Sequence, residues 1–133
     1  KKPLTNLDYP DETPLRLKDI IQKDSEINIP QYVLNRINGN YRDKPIVSDP
    51  ECDDLAPTCV AHYSKDRGTR LIKDGNRIRP YTVREYARLQ GFPDWFEFCG
   101  SDSDAYRQIG NAVAVPMGRW VGTQIVKYFN GAR

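Results

Sequence analysis

Between Arg79 and Asp94 the chain reads RPYTVREYARLQGFPD, and no other stretch leaves the backbone so little choice. Thr82 and Glu85 have capping-box spacing: the threonine hydroxyl accepts from the Glu85 amide, and the glutamate reaches back to the threonine amide. Val83, Tyr86, Ala87, Leu89 and Gln90 then share one face suited to burial. Gly91 suits a left-handed C-terminal cap, and Pro93 prevents the helix from resuming. These signals predict a helix of about two turns, fixed at both ends.

The flanking segments are less constrained. PLTNLDYPDETPLRLKDIIQ reads as an irregular lead-in to a short amphipathic segment. Thr13-Pro14 marks its start, and Leu15, Leu17, Ile20 and Ile21 are its apolar positions. QKDSEIN is a polar connection. PQYVLNRINGN predicts a second short helix, opened by Pro30, closed by Gly39 and burying Tyr32, Val33, Leu34 and Ile37. The proline-broken, acidic YRDKPIVSDPECDDLAP reads as loop. In APTCVAHY, the residues Thr58, Cys59, Val60 and Tyr63 favour a strand. SKDRG is a turn, Thr69 to Ile72 a second strand, and Asp74-Gly75 a further turn, giving a hairpin-like arrangement. In SDSDAYRQIGNAVAVPMGRWVGTQIVKYFNG, Ser103 is the expected N-cap of a turn through Ile109. Gly110 to Val113 breaks the chain, and a last helix starts near Pro116. Met117, Trp120, Val121, Ile125, Val126, Tyr128 and Phe129 give that helix an apolar face too wide for so small a protein to cover. Of these, Trp120, Val121, Ile125 and Phe129 are expected to meet another surface. With 133 residues, 38% apolar, and 10 prolines, the core must be small. The expected class is α+β: a small irregular region with a short β-hairpin, followed by C-terminal helices.

Charge is unevenly placed. The formal net charge is only +2. Between residues 65 and 88, however, eight basic side chains face Asp66, Asp74 and Glu85 alone, a net of +5. Such a block suits either a confined polyanion contact or a solvated face. No apolar run is long enough for a membrane span and no signal-peptide pattern appears, so no membrane role is expected. Cys52, Cys59 and Cys99 are odd in number and widely spaced, which points away from a disulfide scaffold and towards a reducing compartment. With His62 as the one histidine there is no zinc-type spacing, and no metal is expected. The chain begins Lys1-Lys2-Pro3 without a methionine, as a trimmed piece would.

RPYTVREYARLQGFPD, followed by YRQIGNAVAVP, resembles the ninth and tenth motifs of DNA cytosine methyltransferases, which methylate carbon five of the base. Upstream, PLRLKDIIQ and LAPTCVAHYSKDRGTRLI are similar to the region between the eighth and ninth motifs. The resemblance implies a target-recognition region over 1–78, and over 79–133 a ninth and tenth motif region. The latter would pack on an α/β Rossmann-like catalytic lobe of the same or a separate chain. It also implies S-adenosylmethionine as cofactor, double-stranded DNA as partner, and base flipping in the complete enzyme. The setting would be the bacterial cytoplasm, with restriction-modification as one role, or a nuclear or viral one.

The departures limit that reading. The three cysteines sit in Glu-Cys-Asp, Thr-Cys-Val and Phe-Cys-Gly, none of them the family's Pro-Cys-Gln. Glu-Asn-Val, Gln-x-Arg-x-Arg and a Gly-x-Gly loop are also missing. No catalytic residue is assigned, and the chain alone is expected to be inactive. It reads as a C-terminal fragment, as the small subunit of a split enzyme, or as a non-catalytic DNA-binding remnant.

By resemblance, Asn111, Ala112 and Val113 would line the cofactor pocket. The other reading of this turn is a helix link capped by Asn111. Ser64, Lys65, Arg67, Gly68 and Arg70 are the DNA-reading candidates: arginine can pair with guanine, lysine and serine reach phosphates or base edges, and glycine allows close approach. Thr58 would touch a phosphate. Arg79, Arg84 and Arg88 are expected to be structural, Cys59 a small core residue, His62 structural or a polar contact, and Trp95, Phe96 and Phe98 core aromatics.

Overall fold

The computed structural model describes residues 7, 15–22, 25–40, 42, 46–52 and 55–131. The organising helix, α3, spans Val83–Leu89 and forms as its spacing predicts. Thr82 Oγ1 accepts from the Glu85 amide at 3.0 Å, and Glu85 Oε2 accepts from the Thr82 amide at 2.8 Å. At the far end Gly91 takes φ +79°, and a Cβ there would lie 2.6 Å from Pro116 Cδ. Glycine is therefore required both by the backbone conformation and by the neighbour.

Ahead of α3 lie helices α1, Leu17–Ile20, and α2, Gln31–Asn38, the latter between Pro30 and Gly39 as anticipated. The expected start at Thr13-Pro14 lies outside the described residues. A three-stranded sheet has the order β1 (Val47–Ser48), β2 (Leu71–Asp74), β3 (Arg77–Pro80). β1 runs parallel to β2, with Val47 opposite Leu71. β2 and β3 are antiparallel, with Leu71 opposite Pro80 and Asp74 opposite Arg77.

The expected hairpin is displaced along the chain. Residues 55–60 carry no strand, and 61–65 form turns. The hairpin instead closes through Gly75-Asn76, with Gly75 at φ +60°. Side-chain bonding is the reason. Tyr63 is fully buried, its hydroxyl donates to the Arg70 carbonyl at 2.7 Å and accepts from the Tyr81 amide at 2.9 Å. This segment is thus secured by a side chain rather than by a ladder. The acidic segment read as loop also contributes β1, whose two residues are too few to show alternation.

After α3 come α4, Asp102–Asn111, and α5, Val115–Gly131. The N-cap of α4 is Ser101 rather than Ser103. Ser101 Oγ accepts from the Asp104 amide at 3.3 Å, and Asp104 Oδ2 accepts from the Ser101 amide at 3.1 Å. A complete capping box outcompetes the lone serine. The break is also shorter than expected, since Gly110 and Asn111 still belong to α4.

Tyrosines dominate the core. Tyr63 and Tyr86 stack with centroids 4.5 Å apart, and Tyr106 meets both edge-on at 5.2 and 5.5 Å. Such pairs contribute about 0.5–1.5 kcal/mol each beyond the area they bury. The Tyr106 hydroxyl donates to the Tyr81 carbonyl at 2.7 Å, and that of Tyr86 to the Val60 carbonyl at 3.3 Å. Burial pushes the Tyr106 and Tyr81 hydroxyls up to about 12. Leu17, Ile20, Ile72, Ala87 and Ile109 complete the cluster. Trp95 corrects the expectation of a buried aromatic: it is 79% exposed, tilted against Phe96, while Phe92, Phe96 and Phe98 pack together. On α5, Met117, Val121, Ile125, Val126 and Phe129 are exposed.

Candidate functional site

The basic block divides into spent and available charge. Arg79 is 1% exposed and meets the fully buried Glu85 through two bonds, Nη2–Oε1 at 2.7 Å and Nη1–Oε2 at 2.8 Å. Its Nε donates to Asp74 Oδ2 at 2.7 Å. Burial works against the Arg79 charge, but the Glu85 and Asp74 carboxylates more than offset it and hold the guanidinium protonated. Glu85 Oε1 also accepts from the Gln22 amide at 2.8 Å, so the pair ties β2, β3 and α3 to the segment after α1. Arg84 donates to the carbonyls of Pro93 and Phe96 at 3.2 and 3.0 Å, fixing the Gly-Phe-Pro-Asp exit. Arg88 clasps Asp94 at 2.8 and 2.7 Å and donates to the Ile20 carbonyl at 2.9 Å. The Arg88 guanidinium lowers the Asp94 carboxyl below its ordinary value. The side chains of Arg79 on β3 and of Arg84 and Arg88 on α3 are thus all engaged within the fold, in keeping with the expected structural role. Lys73 pairs with Asp49 at 2.6 Å, and Arg77 with Asp74 at 3.3 Å.

Lys65, Arg67 and Arg70 remain, on a loop between α2 and α4. Lys65 is exposed and has no ion-pair partner among the described residues. The Ser103 hydroxyl of α4 donates to Ser64 Oγ at 3.0 Å. The Arg67 guanidinium lies over the Tyr106 ring, 5.1 Å from its centroid. Gly68 is buried, and a Cβ there would meet both Val33 methyl groups at 3.2 Å. Arg70 donates from Nε to the Thr58 carbonyl at 2.7 Å and from Nη1 to Thr69 Oγ1 at 3.0 Å. The fold thus joins Thr58 to Arg70, lays Ser64 and Arg67 on α4, leaves Lys65 outward, and turns Gly68 inward against α2. Cys59 is half-buried in irregular chain rather than in a strand, and burial pushes its thiol up to about 11. His62 is exposed.

The second candidate surface is the link between α4 and α5. Asn111 ends α4 and is exposed, Ala112 is extended at φ −74° and ψ 150°, and Val113 is 68% exposed. Gln90 locks this link to α3. Its side-chain amide donates to the Ile109 and Ala112 carbonyls at 3.1 and 3.2 Å, and its own carbonyl accepts from the Val115 amide at 2.8 Å. Gly110 allows close approach, but to the chain itself. A Cβ there would lie 2.2 Å from Val60 C and 2.3 Å from Ala61 N. The link thus presents the exposed Asn111 amide and the exposed Val113 side chain on a backbone that Gln90 holds from behind.

Sequence reasoning placed Gln90 on the buried face of α3 and missed its clamp. It also missed the Gly110 contact and the Arg67–Tyr106 stack. Each joins segments far apart in sequence, which local pattern does not encode. Among the described residues no cluster of metal-ligating side chains forms, and no helix is long and apolar enough to cross a membrane.

Comparison with known proteins supplies the frame. Residues 7–127 match the family model for C-5 cytosine-specific DNA methylase. The type II methyltransferase M.Sau96I of Staphylococcus aureus is 52% identical over 78 residues, 59% of this chain and 18% of that protein. The DNA (cytosine-5)-methyltransferase CMT2 of Arabidopsis thaliana is 55% identical over 79 residues, 59% of this chain and 6% of that protein. The type II methyltransferase M.HpaII of Haemophilus parainfluenzae is 39% identical over 93 residues, 68% of this chain and 23% of that protein. Each match spans less than a quarter of the relative's own length. Among solved structures, the S. pombe Dnmt2 methyltransferase shares the fold, with a TM-score of 0.70 at 18% identity, over 90% of this chain and 44% of that one.

Proposed function

This chain belongs to the C-5 cytosine-specific DNA methylase family, and on that premise we propose that it is the C-terminal portion of such an enzyme. Residues 1–78 recognise the DNA target, and residues 79–133 carry the ninth and tenth motif region and close one side of the S-adenosylmethionine pocket. The observation that carries the reading is the use of α4 as a common support. The loop with Lys65 rests on its start and middle, through Ser103 and Tyr106. The link with Asn111, Ala112 and Val113 continues from its end, fixed by Gln90.

In this reading Thr58, Ser64, Lys65 and Arg70 face the duplex, with Lys65 supplying charge to a phosphate. Arg67 and Gly68 shape the same loop. Asn111 offers an amide that can donate or accept, and Val113 an apolar contact. S-adenosylmethionine, when bound, supplies the methyl group. The nucleophilic cysteine belongs to a catalytic lobe, of the same or a separate chain, that rests on the exposed apolar face of α5. Its Val121, Ile125 and Phe129 suit such a cover.

The test is methyl transfer from labelled S-adenosylmethionine to duplex DNA, with the chain alone and with a separately expressed catalytic lobe carrying the Pro-Cys-Gln segment. Transfer only in the mixture is expected. Transfer by the chain alone would refute the missing-lobe reading. Salt-sensitive duplex binding with no gain in transfer from the added lobe would favour a non-catalytic remnant.

A further inference from the structure

The recognition loop is held by four contacts, two from α2 and two from α4. Arg36 of α2 pairs with Asp66. Gly68 sits against Val33 of the same helix. Ser64 accepts from Ser103 of α4. Arg67 lies over Tyr106 of α4, and that ring cannot follow it outward, being 1% exposed, bonded to the Tyr81 carbonyl and wedged against Tyr63 and Tyr86. Arg67 also begins the short 3-10 turn Arg67–Thr69, whose next residue is the buried Gly68. A guanidinium 5.1 Å from a ring centroid, on backbone pinned at both neighbours, is placed for a cation–π contact. Lys65, two residues earlier, has neither ring nor carboxylate among the described residues and points to solvent.

Resting on the DNA-recognition reading above, we propose that Arg67 is a positioning residue, which clamps the loop to α4 through Tyr106, and that Lys65 makes the loop's phosphate contact. The two arrangements differ in a measurable quantity. A side chain that neutralises a phosphate releases counterions, and its loss makes the plot of log affinity against log salt shallower by about 0.9. A side chain that only holds the loop releases none. The chemistry of rescue differs as well: lysine can replace arginine against a phosphate as a point charge, but it lacks the planar group that stacks on a ring.

The experiment is fluorescence anisotropy of the 133-residue chain with labelled duplex DNA across a range of potassium chloride. The variants are Lys65→Ala, Arg67→Met and Arg67→Lys, each checked by circular dichroism. The expected result is a shallower slope for Lys65→Ala alone, with several-fold weaker binding at unchanged slope for both Arg67 variants. A shallower slope for Arg67→Met, restored by Arg67→Lys, would overturn the assignment. So would an unchanged slope for Lys65→Ala. If Arg67→Met fails to fold, Arg67→Lys still decides: wild-type affinity refutes the clamp. If the wild-type chain shows no salt-dependent duplex binding at all, the recognition reading itself fails, and that outcome is distinct from the others.

Discussion

Adding one methyl group should have opposite effects at Gly110 and Gly122. Both residues are helical, and alanine is favoured over glycine inside a helix by about 0.8–1.0 kcal/mol. Around Gly122 nothing among the described residues lies within 4 Å of the new carbon, so Gly122→Ala should keep most of that gain. At Gly110 the same carbon would lie 2.2 Å from Val60 C, 2.3 Å from Ala61 N and 2.4 Å from Val60 O. Carbon contacts are optimal at about 3.5–4.0 Å, so α4 and the Val60–Ala61 backbone must part by more than about 1 Å. The backbone resists, because the Val60 amide and carbonyl are both bonded to the buried Tyr86 hydroxyl. Overpacking of this kind costs about 1–3 kcal/mol, and rigid backbone places it at the upper end. After the helix gain, Gly110→Ala should be destabilised by about 1–2 kcal/mol, and the two variants should differ by about 2–3 kcal/mol. Urea denaturation reads this as midpoints moving in opposite directions at constant slope. A Gly110→Ala midpoint at or above wild type would show that α4 does not depend on this contact.

Four further outcomes follow from the same geometry. Glu85→Gln leaves the buried Arg79 with Asp74 as its remaining carboxylate partner, and a loss of stability of about 3 kcal/mol, the lower end for a broken buried pair, is expected; a loss under about 1 kcal/mol in denaturant would count against the pair as the hub. Gln90→Leu unpairs the Ile109 and Ala112 carbonyls at a cost of about 1–3 kcal/mol, and hydrogen exchange at the Val115 amide should accelerate; unchanged exchange would separate Gln90 from the link. Burial raises the Tyr81 and Tyr106 hydroxyls from 10.0 to about 12, so their contribution is complete below pH 10 and lost as pH rises towards 12. The share of tyrosinate absorbance from the buried Tyr63, Tyr81, Tyr86 and Tyr106 should therefore appear late and together with loss of the helical signal, and full titration of all eight tyrosines near pH 10 with the fold intact would refute the buried cluster. Finally, the exposed Val121, Ile125 and Phe129 predict concentration-dependent association in sedimentation, reversed by Ile125→Glu; a strictly monomeric chain at high concentration would refute self-association through this face.

What could be read in advance had short range. The Thr82–Glu85 box, the Gly91 stop, and the Pro30 and Gly39 boundaries of α2 each depend on residues within about one turn of each other, and each is found as expected. The hairpin was misplaced because the strand-forming residues of Ala56–Tyr63 are diverted by one long-range anchor, the Tyr63 hydroxyl between Arg70 and Tyr81. Propensity describes how a residue fits a pleated surface, not whether a partner strand is present. Trp95 was misread for a related reason: an aromatic beside three phenylalanines resembles core until the chain direction turns it outward.

The basic block shows most clearly why the site was only partly legible. Its eight cations look interchangeable in sequence, and a net of +5 suggests one broad patch. In the fold, Arg79 is consumed by Glu85 and Asp74, Arg88 by Asp94, Arg84 by two carbonyls, and Lys73 and Arg77 by neighbouring carboxylates. Formal charge over the block is unchanged, but Lys65, Arg67 and Arg70 are its cations with no carboxylate partner among the described residues. On the proposed recognition reading, a duplex approaching this face would meet a contact a few residues wide, too small for tight non-specific binding, because affinity for a polyanion scales with the number of phosphates neutralised. Discrimination would then depend on how rigidly the loop is presented, which is the property that α2 and α4 supply through Arg36, Val33, Ser103 and Tyr106.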